Sequence, residues 1–392
     1  MKVSIIVSDL SSQGAGRWGG AVRPFLLAKA LKKIDCEVEI VGFSRRDKEG
    51  LSSSPDVPII AIPTHPSYPK FLASVPKLFS HITGDIIYVY KSKLPTVGIA
   101  LLHKIKSGCP VIVDIDDWEL SWSGGDEYQY KPSIFQLLKD ILEPGGALHN
   151  TDHSIYLKWA EKLVAKADAV TIHTQFLHDR FGGIYLPNGK DTALFDPSMY
   201  NPENSREKYG LSNYRILMFP GAPTYSKGVQ DVLTALDILN QSDIRLVIVG
   251  GNPYDDDYER QLTDKWGRWI IKLPKSPPTV MPEIVAAAHI IVVPQRDTPR
   301  SRAQFPLKLT DGMAMAKPVL AARVGDIPEI LGDTGYLVDP NSPSQIADTL
   351  QLIFSDLEAA NNRALKARER CKEFYSIEAM TNILSGVIEK VL

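Results

Sequence analysis

The chain reads as an α/β protein built from two doubly wound domains. Three observations predict this: a length of 392 residues, short β-branched runs alternating with helix-length stretches, and a break in both periodicities near the middle. A chain this long exceeds one ordinary hydrophobic core. Its composition, 44% hydrophobic and 23% charged, is that of a globular protein. Strand-like runs at 3–7, 38–41, 59–62, 86–90, 111–114 and 169–172 fill the first half, with helical stretches such as 21–33 and 96–106 between them. The pattern resumes at 216–219, 246–249, 270–273, 290–293 and 319–321, interleaved with helical stretches at 229–239, 282–288 and 307–316. Continuous apolar runs separated by helices imply parallel sheets covered on both faces. The break is Leu-Pro-Asn-Gly-Lys-Asp at 186–191, continuing through Phe195-Asp196-Pro197 to Asn204. It sets an N-terminal domain at 1–195 and a second at 196–374. An amphipathic helix follows at 375–392, capped by Ser376 with Glu378 in its first turn. Two such Rossmann-like domains in tandem face each other across a ligand cleft at the carboxyl ends of their strands.

Several function classes fall away. A formal charge of −2 gives no general attraction to nucleic acid. Cys36, Cys109 and Cys371 lie far apart in no metal-like spacing, and so sparse a count suggests reduced thiols in the cytoplasm. No run approaches the ~20 apolar residues of a membrane span, and Asp9 cuts the N-terminal apolar run short of a signal-peptide core. A soluble cytoplasmic protein is expected. The stretch 68–79 mixes Lys70 and Lys77 with Phe71, Leu72, Leu78 and Phe79, which suits a bilayer surface and an amphipathic core helix equally. Peripheral contact with the inner face of a membrane therefore stays open.

Four constellations could carry chemistry. The first strand runs into Gly14-Ala15-Gly16-Arg17-Trp18-Gly19-Gly20 ahead of a helical stretch, a turn whose backbone N–H groups suit an anion. Gly14, Gly16 and Gly19 have dinucleotide spacing, but the second strand ends at Arg45-Arg46 rather than on an acid, which would favour NADP. Next, the run at 111–114 ends in Asp114-Ile115-Asp116-Asp117-Trp118. These carboxylates suit proton transfer, an Asp-x-Asp metal site, the nucleophile of a haloacid dehalogenase-type phosphatase, or simple helix capping. Third, Gly221 through Lys227-Gly228 joins a strand to a helix as a phosphate grip. Fourth, Pro306-Leu307-Lys308-Leu309-Thr310-Asp311 opens a helix with a cation and a carboxylate three apart, fit for a phosphate and a ribose diol, or for an ordinary helical ion pair.

Taken in order, these pieces resemble the retaining family-four glycosyltransferases of the GT-B fold over nearly the whole chain. The likeness rests on the glycine turn, Leu-Pro-Asn-Gly-Lys-Asp at 186–191, Lys227-Gly228-Val229, and Met-Ala-Met-Ala-Lys-Pro-Val at 313–319. The resemblance implies a C-terminal domain that binds a nucleotide-sugar, an acceptor-binding N-terminal domain, and a helix at 375–392 that packs back toward the latter. Donor contacts are implied at Gly16, Gly19, Gly20, Gly221, Lys227, Leu273, Arg302, Phe305, Leu307, Lys308, Thr310 and Asp311. The chain departs from the pattern at four places. Ala303 stands where a sugar-binding Glu is usual, Asp311 where the ribose-binding Glu is, Ala222 where a phosphate-clamping Arg is, and Ala316 where a Gly is. Arg296, Arg300, Arg302 and Lys308 are close enough in sequence to replace the missing Arg, and Lys308 is the first choice.

The catalytic residues implied are Lys227, for the leaving diphosphate, with Asp114 or Asp116, ahead of Asp117, in place of a His that usually follows that strand. His153, His173 and His178 are alternatives. The expected function is transfer of a sugar, glucose before others, from a UDP-sugar to a glycan or lipid-linked saccharide in polysaccharide or exopolysaccharide biosynthesis. Configuration would be retained, with neither metal nor cofactor. A non-catalytic GT-B relative, an NADP-dependent enzyme and a phosphatase remain the alternatives.

Overall fold

The computed structural model describes residues 1–11, 14–15, 22–44, 57–143, 145–251 and 256–392. Gly16, Gly19 and Gly20 of the glycine turn, and Arg45-Arg46, lie outside them. The chain forms two compact units: Met1–Pro187 with Met380–Leu392, and Asn188–Ala379.

The first unit holds strands β1 (Lys2–Ser11), β2 (Gly14–Ala15), β3 (Glu37–Ser44), β4 (Ile59–Pro63), β5 (Ile86–Tyr90), β6 (Val111–Ile115), β7 (Ala169–Ile172) and β8 (Ile184–Tyr185). Their order is β4-β3-β1-β5-β6-β7-β8, parallel throughout, with β2 pairing antiparallel to β1. The second unit holds β9 (Arg215–Pro220), β10 (Ile244–Val249), β11 (Ile270–Leu273), β12 (Ile290–Val293), β13 (Val319–Ala322) and β14 (Tyr336–Val338). They form a parallel sheet in the order β11-β10-β9-β12-β13-β14. In each unit the order steps outward on one side of the first strand and then on the other, which is the doubly wound topology. The predicted strands are all present; the two-residue β2 and β8 and the three-residue β14 are too short to leave a pattern.

Burial follows from the strand sequences. β5, β6 and β12 are buried along their whole length, as expected when helices cover both faces. In the second unit one core packs Met218, Val247, Ile291 and Met313 on one face of the sheet. The other packs Leu217, Leu246, Val292 and Leu350 on the opposite face. The expected boundary at 195/196 moves to Pro187/Asn188. Residues just after it are anchored in the second unit: Phe195 lies in its core and Arg368 bonds the Phe195 carbonyl at 2.7 Å.

The helix Leu307–Ala314 lies close against its sheet because residue 312 is Gly; a Cβ there would stand 2.9 Å from Val319 Cγ2. It ends in a Schellman motif, with Lys317 N–H donating to the Gly312 carbonyl (2.9 Å) and Ala316 N–H to Met313 (3.0 Å). The left-handed residue of that motif is Ala316, at φ 48°. Its Cβ crowds the following carbonyl, so Ala316→Gly is expected to stabilise the protein by about 0.5–1 kcal/mol, raising the melting temperature by roughly 2 °C. An unchanged or lowered melting temperature would remove this account of the turn.

Candidate functional site

Both units place their chemistry at the carboxyl end of the sheet, beside the point where strand order reverses, where open α/β sheets bind ligands. In the second unit that point lies between β9 and β12. β9 ends at Pro220 and runs through Gly221 and a short turn, Tyr225–Lys227, into the helix Val229–Leu239. Gly228 makes the turn at φ 68°, and a Cβ there would meet the Pro294 carbonyl oxygen at 1.8 Å, so no other residue fits. The segment after β12 returns alongside and leads into the helix Leu307–Ala314.

These two loops bring Gly221, Lys227 and Lys308 together. Lys227 Nζ donates to Gln304 Oε1 at 2.9 Å. Lys308 is buried, with its Nζ 4.7 Å from the centroid of the Phe219 ring. A Cβ on Gly221 would lie 3.9 Å from Lys308 Cε. Burial drives the Lys308 ammonium down to about 7, the positive charge of Lys227 adds to the fall, and Asp311 opposes it. Asp311 is itself engaged, because Lys190 Nζ donates to its Oδ1. The second unit therefore buries a cation beside another cation, with the nearest carboxylate already paired. An anion entering between the β9 loop and Lys308 would relieve both.

The other donor residues are placed differently. Arg302 is spent on Asp297, with bonds of 2.6 and 2.7 Å, and points to solvent. Arg296 pairs with Asp231 and stacks on Tyr225. With Arg296 and Arg302 so engaged, Lys308 is the cation of this stretch that lies beside Gly221 and Lys227. Thr310 is fully buried and its hydroxyl donates to the Leu307 carbonyl at 3.0 Å, which turns it away from any ligand. Phe305 belongs to the core, 6.1 Å from the Tyr375 ring, and Leu307 packs half-buried against that core. Leu273 ends β11, its carbonyl accepting from Gly250 N–H at 2.9 Å. Ala303 is buried.

In the first unit the carboxylates separate sharply. Asp114 lies within β6 with no exposed surface. Both its oxygens are taken by Arg23, at 2.8 and 2.7 Å, and Oδ1 also accepts from Thr171 at 2.7 Å. It is a buried ion-pair partner and not an accessible base, which corrects the expectation for this residue. The same pairing removes one half of an Asp-x-Asp metal or phosphatase site. Beyond the strand end, Asp116 Oδ2 accepts from Tyr90 OH at 2.7 Å, and Asp117 Oδ2 accepts from the Trp122 indole at 3.1 Å. Lys91 and Lys93, which follow β5, both reach Glu119, at 2.6 and 3.2 Å, and Lys93 also meets Asp152 at 3.2 Å. Burial alone would raise Glu119, but the two ammonium groups outweigh it and hold it at about 2. Burial raises Asp117 to about 6 against the pull of Lys91, with Glu119 and Asp116 repelling its charge. Lys91 adopts φ 72°, a left-handed conformation rare outside glycine. Tyr90, Lys91, Lys93, Glu119 and Asp152 escaped the sequence reading, although Tyr-Lys-Ser-Lys after a buried strand was the available signal.

Of the candidate histidines, His173 directly follows β7, whose Ile172 pairs with Ile115 at the end of β6. His153 caps the helix Ser154–Leu163 and packs against the Tyr130 and Tyr156 rings, His173 is buried, and His178 lies beside Gln175 and Asp179.

Residues 214–356, which contain Lys227, Gln304, Lys308 and Asp311, match the family described as Glycosyl transferases group 1. The second unit contains a glycosyltransferase group 1 domain. Over longer spans, the chain is 29% identical to the D-inositol 3-phosphate glycosyltransferase of Corynebacterium glutamicum across 404 residues, covering 95% of this chain and 92% of that one. It is 23% identical to the N-acetyl-alpha-D-glucosaminyl L-malate synthase of Bacillus anthracis across 339 residues, 84% of this chain and 81% of the relative. Among solved structures, Anabaena HepE in complex with UDP and glucose superposes with a TM-score of 0.75 at 17% identity, covering 99% of each chain. The sucrose-phosphate synthase of Thermosynechococcus elongatus gives 0.73, also at 17%, covering 99% and 98%. The fold is thus GT-B, with the group 1 domain as its second α/β domain. Within the group 1 domain the switch-point loops hold the lysine pair.

Proposed function

We propose that the protein is a retaining glycosyltransferase that takes a hexose, glucose in the first instance, from a UDP-sugar. The observation that carries this is Lys308, buried beside Lys227, with Asp311, the carboxylate that acts on it, already paired to Lys190. A nucleoside diphosphate supplies the missing negative charge, and that charge grows as the glycosidic bond to it breaks. Two ammonium groups held in a dry site stabilise the developing charge without a metal. Asp311, freed in part from Lys190, would take the ribose hydroxyls. In the first unit, Asp117 with Asp116 replaces Asp114 as the proposed acceptor-side group, since a carboxylate near 6 can take a proton at neutral pH. The acceptor proposed is a glycan or lipid-linked saccharide, with the protein cytoplasmic and peripheral at a membrane. A second reading is a small anionic hydroxy compound as acceptor, suggested by the inositol phosphate and malate in the relatives' names.

A thermal-shift panel of UDP, GDP, ADP and NADP, each with magnesium and with chelator, tests the donor. UDP at about a hundredfold over its dissociation constant should raise the melting temperature by roughly 5–10 °C, equally in both conditions. Stabilisation by NADP in place of UDP, or only with magnesium, would sink the proposal. UDP binding without turnover of UDP-glucose would identify a non-catalytic relative.

A further inference from the structure

The helix Ile134–Leu142 in the first unit is amphipathic the wrong way round for a soluble protein. Ser133 caps it, accepting from Gln136 N–H at 3.1 Å. Of its polar residues only Asp140 is buried, accepting from Tyr130 OH at 2.6 Å and from Gln136 Nε2 at 2.7 Å, while Gln136 and Lys139 are exposed. Its apolar residues turn outward, with Ile134 82% exposed, Phe135 79%, Leu142 72% and Leu138 51%. Isolated exposed leucines are ordinary, but a contiguous row at helical spacing is not.

Close to this helix runs an apolar groove of about 990 Å³, lined by Tyr68, Phe71, Phe79, Leu102, Ile105 and Leu163 among others. Ile105 at its lip is 81% exposed. The two features are joined through His149, whose Nε2 contacts the Ile141 carbonyl at 2.7 Å and whose own carbonyl accepts from Tyr68 N–H at 2.8 Å. The segments that line the groove, 66–79, 94–107 and 163–166, contain Lys70, Lys77, Lys104, Lys106 and Lys166 and neither Asp nor Glu. Lys104 pairs with Asp168, and Lys106 lies 5.3 Å over the Phe79 ring.

We propose that this face of the first unit, the helix Ile134–Leu142 with the adjoining groove, docks on an anionic phospholipid bilayer. Apolar side chains facing out along a surface helix, flanked by lysines, enter the boundary between headgroups and acyl chains. A second copy of the chain is a poor occupant, because a two-fold interface sets each patch against itself and would oppose lysine with lysine. The inference deepens the reading of the protein as peripheral at a membrane and is independent of the donor chemistry.

Co-sedimentation with vesicles decides it, using phosphatidylglycerol mixed with phosphatidylcholine against phosphatidylcholine alone. The full chain should bind the anionic vesicles at least about tenfold more tightly, and salt should weaken the binding. Phe135→Glu/Leu138→Glu and Leu102→Glu/Ile105→Glu should each lose at least about tenfold, and Lys106→Gln roughly fivefold. These positions are exposed or at the rim, so melting temperature and the shift induced by UDP should stay as in the wild type. Equal binding to both vesicles, or binding retained by both double variants, overturns the inference while leaving peripheral attachment standing. Absence of binding to either vesicle overturns both. Self-association in sedimentation velocity that the same substitutions abolish also overturns it, in favour of a second copy.

Discussion

Lys308→Met should make the ligand-free protein more stable while removing its hold on a nucleoside diphosphate. The side chain is buried and its ammonium group falls to about 7 from an ordinary 10.5. Below pH 7 the group is charged in both folded and unfolded chains, and the folded state carries the full cost of burying that charge. Between pH 7 and 10.5 the folded chain has released the proton and the unfolded chain still holds it, so the cost fades and stability rises with pH. Met fills similar volume with no charge, and at pH 6 it should stabilise the protein by roughly 3–5 kcal/mol. Lys317, lowered to about 8 chiefly by burial, contributes a rise of the same sign in both proteins, so the difference between them isolates Lys308. Loss of the charge-assisted contact should weaken UDP binding by about a hundredfold. Equilibrium unfolding in denaturant from pH 6 to 10 measures the first effect and titration with UDP the second. A variant that is less stable than wild type at pH 6 would show that Lys308 is already satisfied in the free protein.

The second large effect is expected at Asp114→Ala, and it is an effect on folding rather than on chemistry. Removing the carboxylate leaves the Arg23 guanidinium buried at 2% exposure without its bidentate partner, and unpairs Thr171, to which Tyr88 is bonded at 2.8 Å. Breaking a buried pair in this way costs about 3–5 kcal/mol, or roughly 10 °C in a unit of this size. The double replacement Arg23→Met/Asp114→Leu should recover most of the loss, because an apolar pair of similar volume avoids the stranded charge. Thermal melts of the three variants check the set. A wild-type melting temperature for Asp114→Ala together with lost turnover would instead restore Asp114 to a catalytic role.

The contrast between these residues shows what the sequence could and could not convey. Buried parallel strands announce themselves as uninterrupted apolar runs, so β5, β6, β9 and β12 were plain, and with them the ends where loops must gather. Lys227 and Lys308 could be picked out as candidates because each stands next to a helix start, a local property of the sequence. Pairings across the chain were not. Lys190 meets Asp311 at a separation of 121 residues, and Arg23 meets Asp114 at 91. Either residue of such a pair looks like a free charge until the fold closes. The strand end misled for a related reason: Asp114 sits inside the last turn of the ladder, facing the interior, while Asp116 and Asp117 lie past it. The helix Ile134–Leu142 went unread because an apolar helical face is ordinarily taken as facing a core, and here it faces out.

The account turns on a cation pair that waits for a diphosphate, and calorimetric titration of UDP-glucose against uridine tests that most directly. At pH 8 Lys308 is largely neutral in the free protein, so closing a diphosphate over it must draw a proton from the buffer. UDP-glucose should therefore bind with proton uptake, seen as a heat that scales with buffer ionisation enthalpy, and its affinity should fall as pH rises above 7. Uridine should bind far more weakly and with no uptake. Equal affinity for uridine and UDP-glucose, or pH-independent binding without proton uptake, would contradict it.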